Sequence, residues 1–268
     1  MRLGANARQG LNRPAAAIVE AAGYSVGLVL AGAAAVRRGK AVHPHGVVFD
    51  AELVVRSVPR ELESAALFAT PGRRPAIVRF SRSLGVPRPL PDLLGMSVRV
   101  PDAYGSGRHQ DFLMVTSVDA PVAHHVFVPA RDAQQRPYSS SLPYRVGQRT
   151  VLIGALPRAD SPRPQEGNEL QRLIAAAASG RLVFDLAIAE VWGRFESVAE
   201  LHVGVPLSSE ADALRFNPWN SGGGLEPVGV LNRLRDYAYP LSQRAWALRG
   251  RAGEQLVAEG AAGHRLHP

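Results

Sequence analysis

A succession of short apolar or alternating runs, separated by turns rich in proline and glycine, constrains the fold of this chain most strongly. The runs occupy 46–55, 76–81, 96–100 and 111–116, and the turns between them include 85–89 and 104–107. Runs of this length bounded by proline and glycine are typical of β-strands. The first half of the chain therefore predicts an antiparallel sheet.

The second half adds fewer strands. Residues 120–167 carry many prolines and polar residues and predict a long loop or a short helix, and 167–178 predicts a helix ended by Gly180. Two more strands are predicted over 181–188 and 198–205, with a turn near 192–194. The tail over 227–259 is helical in outline.

The N-terminus has a basic start followed by an apolar stretch over 15–36. Glu20 interrupts this stretch, which is too short and broken for a membrane-spanning helix. We predict a helix that packs on the body of the protein, with a cleaved signal as the alternative.

Composition removes several kinds of chemistry. The chain has no cysteine, so it has no disulfides, iron–sulfur clusters or zinc–thiolate sites. A cytoplasmic location is expected and is compatible with this composition. The net charge of +8 invites a nucleic-acid interpretation. However, Lys40 is the only lysine and the arginines are spread along the chain, so we expect no nucleic-acid partner.

Four segments carry the chemistry. Alone, two histidines in a turn are commonly surface groups, and His43 and His45 lack a third metal ligand at a recognised spacing. The two histidines become informative because they belong to the first of four segments that occur in a fixed order along the chain. These segments are Val42-His43-Pro44-His45-Gly46, Arg79-Phe80-Ser81, Asp92 to Arg99, and Phe216-Asn217-Pro218 leading to Arg235 and Tyr239-Pro240.

Together these segments resemble haem catalases and the shorter catalase-related proteins, over about 40–119 and 181–249. The resemblance implies an α+β fold, an antiparallel β-barrel of about eight strands with helices at the N- and C-terminal ends. It implies one haem domain over 1–268, with an N-terminal helix (1–40), a barrel with a helical insertion (41–205), and a haem-proximal helix and tail (206–268).

The resemblance also implies site residues around a haem b with ferric iron. His43 falls on the distal histidine, Ser81 on the serine that hydrogen-bonds it, and Tyr239 on the iron ligand. Arg235 and Tyr239, four apart on a helix, share one face, so the guanidinium can keep the tyrosine oxygen ionised. Arg233 and Tyr237 have the same spacing, but Pro240 follows Tyr239 as in the family motif.

Haem propionates need cations, which the family supplies as arginines. Lys40 replaces the first of these, Arg79 matches the second, and Arg244 or Arg249 is expected as the third. A lysine keeps the charge but loses bidentate geometry.

One departure concerns the distal asparagine of the family, which helps to hold peroxide. The segment 111–117 has none, and Thr116 could donate one hydrogen bond in its place, whereas Val115 could not. The chain is also much shorter than true catalases. Both departures predict inefficient dismutation of hydrogen peroxide.

The sequence thus predicts a haem-dependent peroxidase that acts on organic hydroperoxides, with weak or no catalase activity. Its partners would be a peroxide and a small-molecule electron donor, with a possible homodimer and no stable membrane insertion. Three alternatives stay open: a weak true catalase, a fatty-acid hydroperoxide isomerase, and a haem-binding or sensing protein without turnover.

Overall fold

A computed structural model describes residues 45–56, 59–190, 192–208 and 214–228. It contains one α-helix, α1 (Glu169–Ala178), and two 3-10 turns, Arg60–Leu62 and Ala123–His125. Its ten strands are β1 (His45–Val55), β2 (Gly72–Arg82), β3 (Leu94–Val100), β4 (Gln110–Thr116), β5 (Tyr138–Ser139), β6 (Tyr144–Val146), β7 (Arg149–Pro157), β8 (Leu182–Ala189), β9 (Glu196–Pro206) and β10 (Leu225–Pro227).

Eight of these strands close into a barrel. They run in the order β7-β5-β4-β3-β2-β1-β9-β8, and β8 pairs back with β7. The pairings are antiparallel, and β6 and β10 extend from β7 outside the ring. The predicted antiparallel barrel of about eight strands is therefore confirmed, and closure leaves the ring without an edge strand.

The interior of the barrel is filled by alternate residues of its strands. Phe49, Phe80, Tyr138 and Phe184 come from four strands and are at most 5% exposed. The Phe80 ring centroid lies 5.8 Å from that of Phe49 and 5.6 Å from that of Phe184. Because strand side chains alternate, the residues between these core positions lie on the outer face of the barrel.

The prediction of a long loop or short helix over 120–167 was wrong in part, because this segment contributes β5, β6 and β7. The longest of them, β7, is apolar on both faces. Ile153 lies in the main core, while Leu152 packs in a second cluster with Phe195. A strand buried on both sides shows a continuous apolar run rather than alternation.

The predicted helix over 167–178 is confirmed as α1. Asn168 caps it, and a capping box with Gln171 satisfies its first backbone N–H groups. Gly180 follows the helix with φ +69°, a conformation that glycine adopts without strain. The helices predicted at the two ends of the chain lie outside the described residues. Within the described part, none of the helices has the length and apolar character needed to cross a membrane.

Candidate functional site

The outer face of the barrel presents a row of aligned residues on four neighbouring strands, which we call the outer row. Gly46 of β1 pairs with Ser81 of β2, Ser81 pairs with Gly95 of β3, and Gly95 pairs with Val115 of β4. Three of the four are glycine or serine, and Ser81 is only 8% exposed. The outer row therefore carries small residues at three of its four positions, and Ser81 and Gly95 within it are buried.

Arg79 lies on the same face as Ser81, one pair further along β2, where it is opposite Val48 and Ser97. Its guanidinium lies beside Gly46, since a Cβ added to that glycine would be 2.7 Å from Nη2 and 2.8 Å from Cζ. The lack of a side chain at Gly46 thus gives the guanidinium its place. Two sequence-predicted residues, Arg79 and Ser81, are brought to one surface with a cation at its edge.

Thr116 occupies a different position. It is fully buried, and it alternates with Val115, so it lies on the core side of β4 and not on the outer row. Its hydroxyl accepts a hydrogen bond from the Leu94 backbone N–H at 3.1 Å. The next residue, Ser117, places its hydroxyl 3.1 Å from the carbonyl oxygen of His124. Thr116 is therefore not brought together with Ser81 in this structure.

Five further predicted residues lie outside the described part of the chain: Lys40, His43, Arg235, Tyr239 and Arg244. Their assignments stay predictions. Among the described residues, no group of three or more histidine, aspartate or glutamate side chains is arranged to hold a metal ion.

A buried carboxylate, missed by sequence reasoning, fastens the chain segment that leads toward Tyr239. Asp111 is fully buried and accepts two hydrogen bonds from Arg99, from Nε at 2.8 Å and from Nη2 at 2.7 Å. It also accepts from the backbone N–H of Asn217 at 2.8 Å and from Nδ2 of Asn220 at 3.0 Å. Segment 215–220 is thereby held against the outer face of β3 and β4.

Arg99 completes this anchor. It donates to the carbonyl oxygen of Arg215 at 2.6 Å, and its guanidinium lies 5.3 Å from the centroid of the Phe216 ring. The hydrogen bonds to Asp111 raise the pKa of Arg99, against the lowering effect of burial, so the guanidinium stays charged. The motif containing Arg99 was noticed in the sequence, but the pairing needs the β3–β4 register.

Comparisons with known proteins show which solved structures share this architecture. No family model matches the sequence, and no curated protein matches it. Solved structures do match. A bacterial catalase has a TM-score of 0.50 and 14% identity over 69% of this chain and 53% of its own. A fungal catalase has a TM-score of 0.53 and 14% identity over 71% of this chain and 56% of its own.

These likenesses show a catalase-like fold. The chain spans about half the length of the catalases that it matches. The catalase-like antiparallel barrel predicted from the motifs is therefore confirmed, whereas the helices predicted at the two ends of the chain lie outside the described residues.

Proposed function

We propose that the chain is a haem-dependent peroxidase that acts on organic hydroperoxides, with weak or no catalase activity. The observation that carries this proposal is the outer row of a catalase-like barrel, where Ser81 lies beside Gly46 and Arg79 supplies a cation. Gly46 follows the predicted distal histidine, His43, by three residues in the chain.

The described residues fit a haem group in two respects. Three of the four outer-row positions carry only glycine or serine, and Arg79 offers a guanidinium to a carboxylate beside the row. Lys40 and Arg244 are proposed as further propionate cations, and Tyr239, charge-paired with Arg235, as the iron ligand. A bound ferric haem would supply the redox centre at which a peroxide is reduced.

The chain's own residues would handle the proton. In this proposal His43 accepts the proton of the peroxide O–H and returns it to the oxygen that leaves as water or alcohol. An imidazole suits both transfers because its ordinary pKa lies near neutrality. Ser81 fixes the ring orientation and tautomer of His43 by a hydrogen bond, as an orienting group does for a histidine ligand or base.

The preference for organic hydroperoxides rests on what the outer row lacks. Val115 is the β4 residue of that row, and its side chain makes no hydrogen bond. The neighbouring hydroxyl of Thr116 is on the other side of the strand and contacts Leu94. Apolar substrate groups add about 0.8 kcal/mol of binding per buried methylene, which hydrogen peroxide cannot gain.

The absorption spectrum of the purified protein tests the proposal first. We expect about one non-covalent haem per chain with a tyrosinate-type ferric spectrum. Tyr239→Phe should lose most of the haem or change its ligand class, whereas the matched variant Tyr237→Phe should keep both. If Tyr237→Phe loses the haem and Tyr239→Phe keeps it, the iron ligand is Tyr237 and not Tyr239. A haem-free wild-type protein would refute the proposal.

Two variants test the proton transfer on preparations of equal haem content. His43→Ala should slow donor oxidation by about 10²-fold, the usual scale for losing a general acid–base group. Ser81→Ala should slow it by about 10-fold, because the serine only orients the ring. Ser161→Ala is a control, since Ser161 is also buried but bonds to Val183. Equal rates for wild type and His43→Ala would remove His43 from the reaction.

Oxygen release from hydrogen peroxide should be compared with donor oxidation driven by an alkyl hydroperoxide on one preparation. We expect donor oxidation to dominate. Vigorous oxygen release with negligible donor oxidation would identify a catalase. Neither activity, with haem bound, would favour the sensing or isomerase alternatives.

A further inference from the structure

Two adjacent histidines, one fully buried and one half-buried, lie at the 3-10 turn Ala123–His125. His124 is fully buried, and its ring centroid lies 5.1 Å from that of His125 and 5.6 Å from that of Phe195. Among the described residues, neither ring nitrogen of His124 makes a hydrogen bond of good geometry, although the Ala120 backbone lies near enough to oppose in part the lowering of the ring's pKa by burial. A buried polar side chain without a partner is rare in folded proteins and needs a physical explanation, such as a bound water or another small polar molecule.

One neighbour, Ser141, extends the pair into a cluster. Nδ1 of His125 is 2.9 Å from the Ser141 carbonyl oxygen, so the neutral ring carries its proton there and presents Nε2 as an acceptor. This Nε2 and the Ser141 hydroxyl are also buried without a partner in the described part of the chain. Val122 and Ser141 have φ of +64° and +55°, which L-residues adopt rarely.

The cluster lies on the same outer face as Ser81. The outer row continues from Val115 to Ser139 of β5 and then to Gly154 of β7. The Ser139 hydroxyl accepts the Ser141 backbone N–H at 3.1 Å. A side chain at Gly154 would collide with the Phe195 ring, so this ring covers the row at that point. The histidine pair is therefore placed at the far end of the outer row.

The cluster is uncharged and contains both hydrogen-bond donors and hydrogen-bond acceptors. Burial, and then the neighbouring His125, lower the pKa of His124 to about 4, and burial also lowers the pKa of His125. The cluster then offers two acceptors, Nε2 of His125 and one nitrogen of His124. It also offers two donors, the other nitrogen of His124 and the hydroxyl of Ser141. An anion would need charged partners, and within the described residues no third histidine, aspartate or glutamate completes a metal site.

A hydroperoxide group can engage three of these four groups, because it has one O–H donor and two oxygen acceptors on adjacent atoms. We propose that His124, His125 and Ser141 bind the hydroperoxide group of the substrate on its way to the outer row. His125 is half-buried and His124 is fully buried. This inference rests on the proposed function.

Steady-state kinetics with hydrogen peroxide and with tert-butyl hydroperoxide test the pocket. His124→Phe keeps a ring of similar size and removes both nitrogens. It should raise KM about 10-fold for both peroxides, the scale of losing two hydrogen bonds, and leave kcat within about 2-fold. His202→Phe is the matched control, because this histidine is more exposed and contacts Glu200 on β9. It should leave KM and kcat unchanged.

Ser141→Gly is a second variant, and we expect it to fold because glycine adopts the positive φ of this position without strain. It should raise KM about 5-fold through loss of one hydroxyl hydrogen bond. Wild-type KM values in both His124→Phe and Ser141→Gly, with haem bound, would overturn the inference and show that the cluster holds water only.

A haem-free preparation would refute the proposed function but would still test the pocket. Hydrogen peroxide is then added to protein labelled with ¹⁵N in its histidine rings. Saturable shifts of the His124 and His125 ring resonances, lost in Ser141→Gly, would support binding. Unchanged resonances up to millimolar peroxide would overturn it.

Discussion

Lowering the pH from 7 to 5 should destabilise the fold through His124. In the unfolded chain a histidine has a pKa of about 6.5, whereas burial and the neighbouring His125 lower the folded-state pKa of His124 to about 4, opposed in part by Asp119. The unfolded state therefore takes up a proton first as the pH falls. The stabilising effect is fully present above pH 6.5 and is lost progressively toward pH 4. Linkage gives a loss of about 2 kcal/mol between pH 7 and pH 5.

Urea unfolding at both pH values measures this loss, and His124→Phe isolates it from the other titrating groups. The variant should lose about 2 kcal/mol less stability than the wild type between pH 7 and pH 5. An equal loss in wild type and His124→Phe would show that folding does not lower the pKa of His124, and would refute the effect of burial on this imidazole.

Two further variants probe the outer face. Asp111→Ala should lower the free energy of unfolding by about 3–5 kcal/mol, because it leaves the largely buried Arg99 guanidinium unpaired. A loss below about 1 kcal/mol in urea unfolding would contradict the anchoring role of the carboxylate. Gly46→Ala should cost about 1–3 kcal/mol by crowding and displace the Arg79 guanidinium, with lower haem content as the second measurement. Gly193→Ala, whose Cβ would meet ordinary contacts at 3.6 Å, is the control and should be tolerated.

The strands that alternate were predictable from the sequence. The predicted runs 46–55 and 111–116 differ from β1 and β4 by one residue at one end. In these strands one face packs in the barrel core and the other faces outward, so core-facing and outward-facing residues alternate along the sequence with a period of two. The predicted end of α1 was also close, because Gly180 follows the helix at a position that requires positive φ.

The strands in the middle of the chain could not be predicted from an alternating pattern. β5 has two residues and β6 has three, too few to show a period. β7 is longer, but its apolar run is buried on both faces, and such a run does not distinguish a strand from a buried helix. Its length of nine residues and its β-branched members, Thr150, Val151 and Ile153, were the usable signal.

The residues of the site also differ in whether the sequence alone could predict them. Arg79 and Ser81 belong to one short motif on one strand, so sequence order alone placed them two residues apart on one face. The anchor at Asp111 joins residues from three separate segments, and its geometry depends on the β3–β4 register. His124 gave no signal, because nothing in a pair of adjacent histidines shows that one ring is fully buried.

Gly46 shows how the motifs depend on one another. In the sequence it only follows two histidines, and a glycine there could serve a turn or a close contact. The structure gives the contact: the β1–β2 register places Gly46 opposite Ser81, and the Arg79 guanidinium occupies the space that a Cβ would fill. A residue of the first motif thus sets the position of the cation in the second. If Arg79 binds a haem propionate, as proposed, Gly46→Ala should weaken haem binding even though Gly46 contributes no side chain to it.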